Sequence, residues 1–144
     1  MKKNHQQNKS QENKYFDEKV TNYLNTVSVL LDIENEKAEN IKNAINELDK
    51  VVGLMKRDGN NAVKTHQVRT IYTLLRNADN MKELYAIIPK LKYIGSRQKG
   101  KSGKFIAELI VELIDRINQD KQIKGLIYIM ESIVAFHKFH FGDN

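Results

Sequence analysis

The apolar residues of this chain recur three and four positions apart, which is the spacing of one buried helical face. One stripe begins at Phe16 and a second at Ile41. The second alternates steps of four and three, as a short coiled-coil seam does, and so predicts a partner helix. No segment alternates with a period of two, so the pattern predicts an all-α fold. The stripes contain Phe16, Val20, Tyr23, Leu24, Val27, Leu30 and Leu31, and Ile41, Ala44, Ile45, Leu48, Val51, Val52 and Met55.

Turn-forming residues separate four further helices. Breaks are predicted at 58–61 and 77–80, with Thr65 as the N-cap of the third helix. The fourth helix runs from about Met81 toward Gln98, and Pro89 inside it predicts a kink or a restart. The result is a compact bundle of five to six helices.

The glycines and the chain ends predict the remaining boundaries of the helices and of the domain. Residues 100–103 are predicted to form a loop, with Ser102 capping the fifth helix, and a sixth helix follows Asp120. Residues 1–14 have no apolar anchor after Met1 and are predicted to be a disordered tail. The remainder, 15–144, has the size of one helical domain.

The last helix is apolar on more than one side, because Ile129, Phe136 and Phe139 lie off its main stripe. One interpretation is a central, well-buried helix. The other is that part of the helix contacts another subunit.

Composition excludes several classes of site. The chain has no cysteine, so it has no disulfide and no thiolate metal site. It has no apolar run of membrane-spanning length and no signal-peptide pattern near Met1, so we expect a cytoplasmic protein without a membrane partner. It also has no phosphate loop, nucleophile motif or paired carboxylates, so we expect neither an enzyme nor a cofactor.

Charge is distributed unevenly. The net charge is +6, of which residues 65–144 contribute +5. Six of the fifteen residues from Lys90 to Lys104 are basic and none is acidic. Such a run is usually a solvated helix face, but the complete lack of acids favours a polyanionic partner.

Helical geometry arranges this run. Lys90 and Arg97 share one flank near Tyr93, and Lys92 and Lys99 share the other. Cations beside an aromatic ring can contact phosphates while the ring stacks on a base. Lys101 and Lys104 are expected on the glycine-rich loop, where the backbone could approach a phosphate.

Two weaker signals lie outside the run. Thr65 to Arg69 opens a helix whose N-terminus could favour an anion. His137 and His140 are three residues apart, but no carboxylate or cysteine motif accompanies them, so partial burial or a nucleic-acid contact is favoured over a metal site.

Three motifs resemble the small subunit of type III-A CRISPR effector complexes, the second subunit of the Csm system. They are Thr65-His66-Gln67-Val68-Arg69, then Pro89-Lys90-Leu91-Lys92-Tyr93 with Arg97 following, and Ser132-Ile133-Val134-Ala135-Phe136-His137-Lys138-Phe139-His140. The resemblance covers residues 62–144. The family often has glycine directly before the arginine, whereas here Ser96 stands there and Gly95 precedes it.

The resemblance implies a helical bundle without a nuclease site. Several copies would stack as a filament beside the other subunits of the complex and line the channel that holds guide RNA and target RNA. The family's backbone contacts would fall on Arg69, Lys90, Arg97 and Lys138, with Lys92 as a neighbour. Lys99, Lys101 and Lys104 are supported by charge alone.

Two other functions remain open from the residues. The seam at 41–55 and the crowded last helix would also suit a helical adaptor that binds proteins and has an incidental basic surface. The helix from Gln67 to Arg76 could belong to a DNA-binding helix-turn-helix factor, although it lacks a clean preceding helix and short turn.

Overall fold

A computed structural model of the chain describes residues 18–142, and every regular element within them is helical. The predicted all-α bundle is therefore confirmed, whereas the predicted tail at 1–14 lies outside the described residues. The α-helices are α1 (Thr21–Val27), α2 (Ala38–Leu54), α3 (Thr65–Arg76), α4 (Met81–Ala86), α5 (Ile88–Ser96), α6 (Lys101–Arg116) and α7 (Ile123–Phe141); 3₁₀ segments span Ser28–Asn35, Met55–Asn61 and Asp120–Gln122.

Two long helices organise the core. α6 packs along α5 as an antiparallel neighbour, and α7 packs against both α2 and α3. The seam of α2 thus has the partner helix that its spacing predicts. The apolar stripes of these helices meet in one continuous core, whose fully buried members include Leu30, Leu48, Met55, Ile71, Leu75, Leu84, Leu91, Phe105, Ile106, Leu109, Ile110 and Leu113.

The predicted break near Pro89 is confirmed. The helical path stops at Ile87 and restarts at Ile88, so α4 and α5 are two short helices with the proline in the first turn of the second. Proline lacks a backbone N–H, and the first turn is where that hydrogen bond is not needed. Asn80 caps α4, since its side-chain oxygen accepts the N–H of Glu83 at 2.9 Å.

The third helix begins one position earlier than predicted. Thr65 is already helical, and the N-cap position is held by Lys64 with extended backbone angles. The Gln67 side chain accepts the Lys64 backbone N–H at 2.8 Å. A side chain of the first turn therefore satisfies one of the N–H groups at this N-terminus.

The first apolar stripe forms only a short α-helix before tightening into the 3₁₀ segment Ser28–Asn35. α7 lies directly on this backbone at Gly125, where an added Cβ would be 2.5 Å from the carbonyl oxygen of Leu30. The close approach requires glycine and brings α7 to the centre of the bundle.

The apolar residues of α7 that lie off its main stripe differ in burial, which bears on whether the helix is central or partly available to another subunit. Ile129 is fully buried and Phe136 is half-buried, which confirms a central helix, but Phe139 is 80% exposed. Among residues 18–142 no helix has the length and apolar character that crossing a membrane would need.

Candidate nucleic-acid interface

One backbone residue ties three parts of the bundle together at one end. The N–H of Val63 donates to the buried hydroxyl of Ser102 at 2.9 Å, and its carbonyl accepts from Nε2 of His137 at 2.7 Å. The start of α6, the last turns of α7 and the segment just before α3 therefore meet at a single point. We call this arrangement of Val63, Ser102 and His137 the Val63 junction.

The segment before α6 is not the loop that its glycines suggest. α6 begins at Lys101 and includes Ser102 and Gly103, so the predicted loop at 100–103 and the predicted Ser102 cap are wrong. The cap comes from a distant residue instead: the carboxylate of Asp58 accepts the Ser102 backbone N–H at 2.7 Å. A carboxylate at this position satisfies a terminal N–H and complements the helix dipole.

The glycines of this segment serve close packing. A side chain at Gly100 would overlap the backbone carbonyl of Asn61, and one at Gly103 would overlap the side chain of Gln98. The 3₁₀ segment Met55–Asn61 is therefore pressed against the start of α6. Gly59 within it has φ 58°, which glycine adopts without strain.

Lys101 and Lys104 consequently project from the first turn of a rigid helix. Lys101 Nζ lies 3.2 Å from a carboxylate oxygen of Glu18, and both side chains are about half exposed or more. Exposed pairs of this kind stabilise a fold by roughly 0–1 kcal/mol and exchange readily. Glu18 therefore does not remove Lys101 from reach of another anion.

The C-terminal turn of α5 presents an aromatic ring and a cation together. Tyr93 is 60% exposed. The Arg97 guanidinium lies over its ring, 5.7 Å from the centroid, and donates to the Tyr93 hydroxyl at 3.3 Å. Lys90 is exposed earlier on the same helix.

The chain has Ser96 directly before Arg97, where the family often has glycine, and the glycine one position earlier, Gly95, is needed for helix packing. Gly95 is buried, and a Cβ there would be 3.0 Å from that of Ala107 on α6. A small residue at this position lets α5 and α6 pack closely, which holds Tyr93 and Arg97 beside the start of α6.

Lys92 and Lys104 share a groove between α5 and α6, but this groove is not purely basic. Its walls also carry the carboxylates of Glu108, Glu112 and Asp115. Glu108 lies at the middle of α6, one turn after Lys104, and Glu112 and Asp115 lie nearer its C-terminus, so the positive character is concentrated at the end where α6 begins. A polyanion would be attracted to that end and repelled farther along the groove.

Arg69 lies in a different, shallow depression on α3. It shares this depression with polar residues of the same helix, Thr65, His66, Thr70 and Thr73, and with Leu74. Its helix starts beside Val63, so the depression begins at the same end of the bundle as the Val63 junction. Lys138 follows His137 directly and is exposed at that end as well.

The two histidines of α7 face inward. His137 is buried and stacks on Phe141 with ring centroids 4.4 Å apart, while His140 Nε2 lies 2.7 Å from a carboxylate oxygen of Asp49 on α2. Burial lowers the pKa of His137 below 6.5, a shift that its bond to Val63 opposes and the nearby His140 and Lys64 reinforce. The described residues contain no cluster of three potential metal ligands.

All eight basic residues singled out in the sequence are solvent-exposed: Arg69, Lys90, Lys92, Arg97, Lys99, Lys101, Lys104 and Lys138. Sequence reasoning missed two further exposed cations, Lys56 and Arg57, which the fold brings to the start of α6. The acid and turn that follow them, Asp58 to Asn61, concealed them because the segment has the composition of an ordinary polar turn.

Comparisons with known proteins give one match. A model of the family described as Csm2 Type III-A matches residues 46–143, which is more than half of the chain and reaches into the second half of α2. No curated protein and no solved structure matches the chain. The matched region contains all eight predicted contact residues and the Val63 junction.

Proposed function

The chain belongs to the Csm2 family and is a subunit of a type III-A CRISPR complex, and from that premise we propose that it is a non-catalytic, RNA-binding structural subunit. Several copies would stack along the channel of guide RNA and target RNA. Each copy would contact the sugar–phosphate backbone through exposed basic residues. Sequence specificity would come from base pairing with the guide and not from this subunit.

The observation that carries this proposal is the placement of Arg97 on Tyr93 beside the start of α6. An exposed ring held by a cation can stack on a base or ribose while the guanidinium contacts a phosphate. Lys99, Lys101 and Lys104 lie within seven residues of Arg97 and are solvent-exposed.

The position of these lysines argues against a role in stability. A helix N-terminus carries partial positive charge, so cations there destabilise the helix by roughly 0.3–1 kcal/mol each. Asp58 offsets part of this cost as the cap of α6. An RNA phosphate would be attracted by the lysines and the dipole together, which gives these residues a use in binding.

A double charge reversal tests the proposal. Arg69→Glu with Arg97→Glu should weaken binding of a labelled single-stranded RNA and flatten its salt dependence. The slope of log K against log salt should become shallower by about 1.4 for two lost contacts to single-stranded RNA. Fluorescence anisotropy over a salt series measures both quantities, and circular dichroism shows whether the helices persist.

A matched control separates contact from net charge. Lys37→Glu with Lys42→Glu has the same effect on net charge, and these residues lie at the N-terminal end of α2, on the order of 20 Å along that helix from its junction end. Unchanged RNA binding by the Arg69 and Arg97 variant, with helices intact, contradicts the proposal. Partner proteins that copurify through nuclease and high salt would then favour the helical adaptor.

A further inference from the structure

Lys56 and Arg57 are separated from the basic run by more than thirty residues in the sequence, yet the fold places them next to it. They sit on the 3₁₀ segment Met55–Asn61, and three contacts fix this segment and the residues that follow it to the start of α6. Asp58 accepts the Ser102 N–H, Val63 donates to the Ser102 hydroxyl, and Asn61 touches Gly100.

The acid within this segment is engaged with the first turn of α6. The Asp58 carboxylate points at the first turn of α6 and is half-buried there. Lys56 and Arg57 are exposed. Asp58 thus lies against the terminus of α6, whereas the two cations of the segment are at the surface.

Cations from three elements then surround one end of the bundle. Lys99 and Lys104 come from the α5–α6 connection and the first turn of α6, and Lys138 comes from the last turns of α7. α6 and α7 are both hydrogen-bonded to Val63, through Ser102 and His137, and Lys99 lies just before the start of α6. A partner with closely spaced negative charges matches this arrangement better than one isolated carboxylate does.

We propose that Lys56 and Arg57, positioned by Asp58, form a phosphate-contacting surface with Lys99, Lys104 and Lys138 that extends the RNA path around the Val63 junction. This inference rests on the proposed function and adds a second set of RNA-contacting residues to it. The ligand is the sugar–phosphate backbone of RNA. Asp58 is a positioning residue and contacts no RNA itself.

The first test is the double reversal Lys56→Glu with Arg57→Glu. Its affinity for the labelled single-stranded RNA should fall severalfold below that of the Lys37→Glu, Lys42→Glu control, although both proteins have lost the same charge. The salt slope should become shallower by about 1.4. If the variant fails to fold, Lys56→Gln with Arg57→Gln is compared with Lys37→Gln and Lys42→Gln, which lose the same charge, and the same change in salt slope is expected.

The second test uses a substitution that would tighten RNA binding if net charge alone mattered and would weaken it if the position of the segment matters. Asp58→Ala raises the net charge from +6 to +7, so a purely electrostatic attraction would tighten RNA binding. Because the variant releases the segment that holds Lys56 and Arg57, we expect weaker binding instead. The measurement is made where circular dichroism shows the variant to be fully folded.

The outcomes distinguish this inference from the proposed function. Loss of binding in the Arg69, Arg97 variant together with control-like binding in the Lys56, Arg57 variant overturns the inference and leaves the proposed function standing. Tighter binding by Asp58→Ala also overturns it. Loss of subunit assembly without loss of RNA binding would assign the surface to a protein partner.

Discussion

The hydroxyl of Ser102 accepts the backbone N–H of Val63 at 2.9 Å, across 39 positions of the chain, and neither residue has appreciable solvent exposure. A buried N–H has no water to replace a lost partner, so this bond carries a penalty if it is broken. It also fixes where α6 begins, and thereby where Lys101 and Lys104 project.

Ser102→Ala should destabilise the fold because it leaves the Val63 N–H buried without its acceptor. We expect a loss of about 1–3 kcal/mol in the free energy of unfolding, measured by urea denaturation. The control is Ser96→Ala, which removes an exposed hydroxyl bonded only to its own helix and should change stability by less than about 0.5 kcal/mol. Equal effects of the two changes would refute the assigned role of Ser102.

Gly125→Ala should be destabilising although alanine is the better helix former. The new Cβ would lie 2.5 Å from the carbonyl oxygen of Leu30, a backbone atom that cannot move without shifting the 3₁₀ segment. Overpacking of this kind costs roughly 1–3 kcal/mol, which a thermal melt detects. Lys124→Ala, on the exposed neighbour, should be nearly neutral, and a stabilised Gly125→Ala protein would show that the close approach is absent.

Acid should destabilise this protein through His137. Because burial lowers the pKa of His137, the folded state binds fewer protons than the unfolded chain does at mildly acidic pH. The contribution of the neutral ring to the free energy of unfolding is therefore fully present above pH 6.5 and decreases as the pH falls below that value. His137→Gln retains a side-chain N–H for the Val63 carbonyl and should reduce this decrease, as melting temperatures between pH 7.5 and pH 5 (about one unit or more on either side of the ordinary histidine value) can show. An identical pH dependence in both proteins would contradict the prediction.

Tyr93 should contribute to RNA binding through its ring. Tyr93→Ala removes an exposed platform and should cost about 1–3 kcal/mol of binding free energy if one base stacks there. Tyr93→Phe keeps the ring, loses only the hydroxyl that accepts from Arg97, and should bind nearly as the parent does. Anisotropy with the same labelled RNA compares them, and equal losses in both variants would assign the effect to the hydroxyl and not to stacking.

Local sequence determined the helices themselves. The spacing of apolar residues in α2, α6 and α7 predicts their buried faces, since a helix must turn one stripe toward the core. Pro89 and the Asn-rich segment at 77–80 predicted the breaks around α4 and α5, because these residues restrict the backbone within one or two positions. The three motifs of the resemblance predicted the family.

Only the tertiary structure decided how the basic residues are arranged. The glycines at 100 and 103 looked like a loop because nothing nearby in the sequence shows that Asn61 and Gln98 press against them. The cap of α6 comes from Asp58, 44 positions away, and this contact brings Lys56 and Arg57 to the lysine run. Local propensity acts over a few residues, whereas charge placement on a surface depends on which distant segments pack together.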